Sequence, residues 1–352
     1  MNNSLDKSNP YLSIVIPCRN DNYAGNTFKK LFLSLTILIN QLNKFNLDAE
    51  IIIVEWNPPK DKPKLSLELS SLKNLGKTII RIIEVDSSIH STYIGSQKKG
   101  LVGSVALNAG IRRARGKFVT SKMADTFFSD ELIKFISKKT LDNNCLYRAD
   151  RVDVNVNLDL IDSDWQDYFN LNVSSRGYYN KKGPHLKACG DFMLMNNRSW
   201  DGIRGFHEPK TVIGLGEDGE ALYAALGMGL KQICLDNQMC IYKIKHGNQH
   251  GERTKNDRRN FIDYFHDFSD KYDAYLNFFK FKTILIFLFR FFLGITNLPN
   301  TKIYGLRVRS HYRWYLVSIL RLKFKGIKFF NSKNWGLNLN QLNEITISED
   351  LK

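Results

Sequence analysis

Residues 11–21 read YLSIVIPCRND, a β-branched apolar run stopped by Pro17 and followed at once by a polar loop. A run of this length bounded by a turn signal is the mark of a buried strand. Leu31, Leu35, Leu38, Ile39, Leu42 and Phe45 then recur at the spacing of one helical face. The pattern repeats along the chain. AEIIIVEW (49–56) is a second strand broken by NPPKDKP, Leu65 to Leu75 suits a short helix, and TIIRIIEV (78–85) is a third strand. SVALNAGIRRARG (104–116) reads as a helix closing on Gly116, and KFVTS (117–121) as a fourth strand. Strands alternating with helices call for an α/β fold with a mostly parallel, doubly wound, Rossmann-like sheet, whose ligands sit at the carboxyl ends of the strands. Three loops then converge on one crevice: after Pro17, after Val54, and around Asp125 in TSKMADTFFSDEL (120–132).

The second half is less regular. After LYRADRVDV (146–154), a polar stretch up to KKGPHLKA (181–188) carries no clear periodicity, and Arg148 and Asp150 read equally as cleft residues or as an internal pair. CGDFMLMN (189–196) is strand-like, SWDGIRGF (199–206) a short helix and turn, and GEDGEALYAALGMG (216–229) a helix with Glu217, Asp218 and Glu220 in its first turn. Acids there suit the helix dipole. KQICLD and MCIYKIKH finish the sheet, and DRRNFIDYFHDF (257–268) begins a helical tail.

Composition divides the chain. At 352 residues with 43% hydrophobic content it is large enough for a real core. Residues 1–10 are polar, read as disordered, and resemble neither a signal peptide nor a mitochondrial presequence, so a cytoplasmic location is expected. Cys18, Cys145, Cys189, Cys234 and Cys240 are scattered without a C-x-x-C pair, which points to reduced, buried thiols rather than disulfides or zinc. The formal charge is +16, and residues 274–343 contain no acid but twelve lysines and arginines and 16 of the 43 aromatics. Residues 11–255 are therefore expected to form the sheet domain, and 256–352 a helical, basic, aromatic-rich region. Such a mixture suits the inner face of an anionic membrane, where rings settle among headgroups and lysines snorkel, or else a helical appendage packed on the domain. The apolar run 284–295 is too short to span a bilayer. No nucleic-acid motif accompanies the basic residues.

The order of these pieces resembles the GT-A glycosyltransferases, both the inverting family-2 enzymes and the beta-1,4-galactosyltransferase type. SIVIPCRND matches the first strand of the family-2 pattern, and ALNAGIRRARG, MAD, CGDF, RGF, GLGEDGEAL and YKIKHG follow in the order of the galactosyltransferase pattern. The resemblance covers roughly residues 11 to 250. It implies a nucleotide-sugar donor, with Mn2+ or Mg2+ bridging the leaving diphosphate and held by Asp125 and His246. Met123 stands where the first acid of the Asp-x-Asp motif would be, and Lys243 where the pattern has a metal-binding methionine. A charged lysine is no ligand, but it can neutralise diphosphate directly. Asp218 matches the base that takes the acceptor's proton, with Glu217, Gly190 and Asp191 on the acceptor side. Pro17, Arg19, Asn20, Glu55, Asn108 and Lys243 fall at donor positions, Glu55 where family-2 enzymes read uracil, and Trp56 beside it stacks on a base or packs.

The expected function is transfer of a sugar to a glycan or lipid-linked acceptor, with inversion, in the synthesis of a bacterial surface polysaccharide. Other readings are a non-catalytic glycan- or nucleotide-sugar-binding protein of the same fold, or a nucleotidyltransferase. The latter would want a Gly-rich basic loop after the first strand, which PCRNDNYAGN does not supply.

Overall fold

The computed structural model describes residues 9–21, 25–177, 184–185, 187–210, 212, 217–245 and 331–349. His246, most of the basic aromatic run and the expected tail helix at 257–268 lie outside them.

Four parallel strands form the heart of the molecule: β1 (Leu12–Cys18), β2 (Ala49–Trp56), β3 (Ile79–Val85) and β4 (Phe118–Ser121), in the spatial order β3-β2-β1-β4. Their β-branched runs are buried on both faces, so alternate residues feed two cores. Ile14, Ile16, Ile51, Ile53, Ile80 and Ile82 pack with Leu31, Leu35, Leu38 and Leu42 of α1 (Thr27–Lys44), joined by α2 (Leu65–Glu68). Val15, Ile52, Val54, Ile83 and Val85 face the other way. There they meet α4 (Gly103–Arg112), which follows the short α3 (Ser87–Ser91). Each such side chain withdrawn from water contributes roughly 1.5–3 kcal/mol. Gly110 lets α4 lie close, since a Cβ there would sit 2.4 Å from Val15 Cγ1 and 3.0 Å from Val54 Cγ2. The doubly wound α/β architecture expected from the sequence is the one present.

The mixed part follows. The chain runs from β4 into β5 (Thr126–Phe128), through α5 (Asp130–Ser137), β6 (Cys145–Arg148), β7 (Arg151–Val154), α6 (Trp165–Leu171) and β8 (Val173–Gly177). It continues through β9 (Leu194–Asn196), α7 (Asn197–Ile203), α8 (Glu217–Gly227), β10 (Lys231–Cys234) and β11 (Ile241–Ile244). β9 lies antiparallel between β4 and β6, and β10 parallel to β6. β5, β11, β7 and β8 form a separate four-stranded sheet. Its core joins Phe127, Val152 and Tyr242 to Trp165 and Phe169 of α6. The stretch before residue 185 that carried no clear periodicity thus supplies a helix and a strand.

A second difference concerns the end of the chain. Sequence patterning placed residues 256–352 together in a helical basic region, yet β12 (Asn343–Ile347) is an antiparallel edge strand of the large sheet beside β3. Buried Arg81 holds it, donating to Glu344 at 2.6 and 3.0 Å and to Glu50 at 2.9 Å. Glu50 in turn accepts from Ser13 Oγ and the Arg115 N–H, both at 2.6 Å, so this buried charge is paired and hydrogen-bonded. Trp335, just before β12, is 2% exposed and lies under the Arg112 guanidinium, 5.0 Å from the ring centroid. Basic residues 246–330 are therefore bracketed by two parts of one domain. Trp335→Ala should lower unfolding free energy by roughly 3–5 kcal/mol, the usual cost of emptying a buried aromatic site. Urea denaturation checks this, and a chain ended at residue 330 should lose still more.

Candidate active site

The winding reverses at β1: α1 leads from β1 to β2 across one face of the large sheet, α4 leads from β3 back to β4 on the far side of β1 across the other, and ligands of such sheets bind outside the strand ends at this reversal. The loop after β4 occupies this place. Residues 122–125 carry the chain from the large sheet to β5 of the small one, and residues 149–150 make the same crossing from β6 to β7.

Along this seam runs a chain of alternating charges. Lys243 Nζ, from β11, lies 3.5 Å from Asp125 Oδ1 and 3.1 Å from Asp191 Oδ1. Asp191 Oδ2 meets Arg151 Nη1 at 3.1 Å, and Arg151 Nε meets Asp153 at 2.9 Å. Burial works against the Lys243 charge, but Asp191 and Asp125 outweigh it and hold the ammonium above the usual lysine range. Lys122, wholly buried, donates to Ser34 Oγ, to the Thr126 carbonyl at 2.7 Å and to the Met123 carbonyl at 3.2 Å. Burial brings its pKa down to about 7, opposed by Asp125 and Asp191. Lys30, buried on α1, is lowered by burial and raised by Asp125. Three lysines therefore surround the one acid matched to a metal. Among the described residues no group of three or more His, Cys, Asp or Glu is arranged to hold an ion.

The acceptor-side residues join this chain. Asp218, in the first turn of α8, accepts the Gly190 N–H at 3.1 Å and the Gly219 N–H at 2.8 Å. A Cβ on Gly190 would lie 3.4 Å from Met123 Cε, which puts the residue in place of the missing acid against the same loop. Glu217 opens α8. Glu220 is buried and pairs with His207 at 3.0 Å, tying this turn to the Gly205–Phe206 turn. Arg148 is buried and donates to the carbonyls of His185, Lys187 and Cys189, and Asp150 pairs with His185 at 2.8 Å. Asp125, Lys243, Asp191, Gly190 and Asp218, up to 118 positions apart in sequence, thus form one connected group.

The donor-side residues are stitched to each other. Pro17 pairs in register with Val54. Arg19 donates to the Asn57 carbonyl at 2.8 Å and pairs with Asp21 at 2.7 Å, and Asn20 donates to the Pro63 carbonyl at 2.9 Å. Glu55 is wholly buried, and both its carboxylate oxygens accept the Leu65 N–H at 3.1 Å, at the start of α2. Trp56 packs: it is buried and donates to His90 Nδ1 at 2.9 Å. Asn108 stands apart from this group. It is wholly buried, accepts from the Phe206 N–H and donates to the Phe206 carbonyl, both at 2.7 Å, and it reaches Glu208 at 2.9 Å.

Lys30, Lys122 and Arg151 did not emerge from the sequence as site residues. Lys30 had a signal: it aligns at helical spacing with Ser34, Ile37 and Gln41, all buried, so it falls on an inward line of α1.

The chain matches no protein-family model and no curated protein. Among solved structures it is similar to S. aureus TarS 1–349 in complex with UDP, at 13% identity over 66% of this chain and 60% of that one, with a TM-score of 0.41. It is also similar to the catalytic domain of Drosophila beta1,4-galactosyltransferase 7 in complex with xylobiose, at 11% identity over 73% and 78% of the two chains and a TM-score of 0.40. The match thus spans 60% of the TarS chain. These neighbours are GT-A-type glycosyltransferases, the family that the sequence resembles. Likeness at this level fixes neither donor nor acceptor.

Glu55 gives a test of the donor-side loops. Burial pushes its carboxyl up to about 7, against the Leu65 hydrogen bond. Because the folded value lies above that of the unfolded chain, the folded protein keeps a proton that the unfolded chain loses as pH rises from 4.5 to 7. The stabilisation linked to Glu55 is fully present below pH 4.5 and gone above pH 7. Glu55→Gln should therefore gain on the parent between these limits, by at most about 3 kcal/mol at alkaline pH. Urea midpoints at acid and alkaline pH check it.

Proposed function

We propose that this chain is a glycosyltransferase that moves a sugar from a nucleotide-sugar donor to a glycan or lipid-linked acceptor, with inversion, at the inner face of a bacterial membrane. What supports the reading is the connected group of Asp125, Lys243, Asp191, Gly190 and Asp218 at the switch point of a doubly wound sheet. Asp218 bonds to Gly190 and Lys243 to Asp191, so a carboxylate suited to accept a proton and a cation suited to a leaving diphosphate are tied to neighbouring residues. In that reaction the acceptor hydroxyl attacks the anomeric carbon, the bond from that carbon to the phosphate oxygen breaks with its electron pair, and Asp218 takes the hydroxyl proton. Glu217 is the proposed acceptor contact, while Asp191, buried and paired with Arg151 and Lys243, serves the site by holding those cations. Pro17, Arg19, Asn20 and Glu55 surround the proposed donor crevice, and Asn108 would serve it only by fixing the Phe206 turn.

The metal expected from the resemblance fits this site poorly. Asp125 already faces the charged Lys243 at 3.5 Å, and His246, the other ligand the resemblance implies, lies outside the described residues. Two unit charges at 4 Å repel by about 4 kcal/mol at an effective dielectric of 20, and a divalent ion doubles this.

Among the described residues no helix is long and apolar enough to cross a membrane. The case for docking on an anionic surface rests on the basic and aromatic composition of 274–343. Because 331–349 belong to the domain, docking is best tested in the full chain. Replacing Lys323, Lys325 and Lys328 by Gln should reduce sedimentation with anionic liposomes, at about 1 kcal/mol per basic residue removed, and leave neutral liposomes unbound as before.

For the reaction, purified protein should bind or hydrolyse at least one member of a panel of UDP-, GDP-, CMP- and dTDP-sugars. Binding with no turnover on any acceptor would favour the non-catalytic reading. Asp218→Asn should lower transfer by roughly 100-fold or more, the range for a lost general base, while donor affinity measured by calorimetry changes little. Undiminished transfer would remove Asp218 from this role.

A further inference from the structure

The buried Arg81–Glu50–Glu344 network joins β12 to the sheet, and the His207–Glu220 pair joins two turns; each is satisfied by its structural partners. The small cavity lined by Asp150, Arg151 and Arg176 is too slight for a ligand beyond water. The seam carries more.

We propose that the Lys243 ammonium is the resident cation of this site, supplying to the departing nucleoside diphosphate the positive charge that a divalent ion would otherwise supply, so that donor binding and transfer proceed without metal. This rests on the glycosyltransferase reading. Three observations converge on it. Lys243 Nζ lies between two carboxylates, 3.5 Å from Asp125 and 3.1 Å from Asp191, which is where an ion bridging those acids would have to sit. Asp191, the carboxylate nearest to hand for an ion beside Asp125 among the described residues, is already paired with Arg151 at 3.1 Å as well as with Lys243. The side chain nevertheless keeps 18% of its surface exposed, so it is not sealed into the core as Lys122 is.

The chemistry balances without a further reactant. An ammonium carries three N–H donors; one is donated to Asp191 and Asp125 is met only as an ion pair at 3.5 Å, which leaves an N–H for a phosphate oxygen. As the bond between anomeric carbon and phosphate oxygen breaks, the electron pair stays on the diphosphate, whose added charge meets that N–H. The acceptor oxygen forms the new bond to the same carbon, and its proton goes to Asp218. Lys243 remains protonated throughout and acts as a charge, not as an acid. The two carboxylates hold it in place before the donor arrives, which is the preorganisation that electrostatic stabilisation demands.

The experiment is calorimetric titration of the full chain with UDP, GDP and dTDP in excess EDTA and again with Mn2+, beside electron paramagnetic resonance of free Mn2+ with and without the nucleotide. The expected result is binding of one nucleotide with the same affinity in EDTA and in Mn2+, and a free-Mn2+ signal that protein plus nucleotide diminishes no more than nucleotide alone does. Lys243→Gln should weaken that binding by roughly 10- to 100-fold, the worth of one charge-assisted hydrogen bond, while Lys243→Arg keeps most of it. Circular dichroism melting shows whether Lys243→Gln folds; should it not, the EDTA and Mn2+ titrations of the unaltered chain decide alone. Binding that appears only with Mn2+, with loss of the free-ion signal, overturns the proposal and leaves the glycosyltransferase reading standing. Absence of nucleotide binding under every condition overturns both.

Discussion

A carboxylate as deeply buried as Asp191, 5% exposed, persists as an anion only beside matching positive charge. That requirement binds the two sheets together. Asp191 comes from the loop before β9 of the large sheet, whereas its partners Arg151 and Lys243 come from β7 and β11 of the small one. Lys243 passes the demand on to Asp125, at the crossing from β4 to β5. Each charge compensates the next, so the separation of the sheets, the course of the 122–125 turn and the position of β11 are mutually dependent.

The same economy of polar groups holds the turn from the other side. Among the described residues β5 is an edge strand, paired with β11, and carbonyls on its other side cannot stay bare in a buried setting. The inward line of α1 satisfies them: Ser34 donates to the Thr126 carbonyl and Gln41 to that of Phe128, with Lys122 adding a second donor at Thr126. A polar line beside the apolar stripe of α1 is therefore a substitute for a missing strand. Its effect is to fix the backbone that presents Asp125.

What could be read in advance follows from the range of the interactions. β1, β2 and β4 stand where their β-branched runs put them because burial on both faces writes a continuous apolar signal into the sequence. The small sheet wrote almost none. Its strands are three to five residues long, and β11 pairs with β5 and β7 from about 90 to 115 positions earlier, so their pairing is set by tertiary contact. β12 was hidden for another reason: NEITI alternates too briefly to stand out after a long basic stretch, and only the acid in Glu344, answering Arg81 263 positions away, marks its place. Candidate residues divide in the same way. Asp125, Asp191, Gly190, Asp218 and Lys243 lie together, while Asn108 and Glu55 turned inward, because an amide or carboxylate next to an unpaired backbone N–H is drawn to it before any ligand is present.

Gly190 and Asp191 are adjacent in sequence yet serve opposite ends of the group. The N–H of Gly190 holds the Asp218 carboxylate, and the carboxylate of Asp191 holds the Lys243 ammonium. Behind them Arg148, wholly buried, spends its guanidinium on the carbonyls of His185, Lys187 and Cys189. A planar fork fixed to three carbonyls of one short loop leaves that loop little freedom to tilt. The Asp218 carboxylate and the Lys243 ammonium are thereby set relative to each other through a single dipeptide, and a displacement of the loop would move both at once. Residue 190 also packs directly against the turn, since a Cβ there would stand in ordinary contact with Met123 Cε at 3.4 Å and with the Asp218 side chain at 3.7 Å. The methionine that replaced an acid in the 120–132 stretch thus packs against the backbone that orients Asp218, and the positive charge of the site comes from the opposite strand.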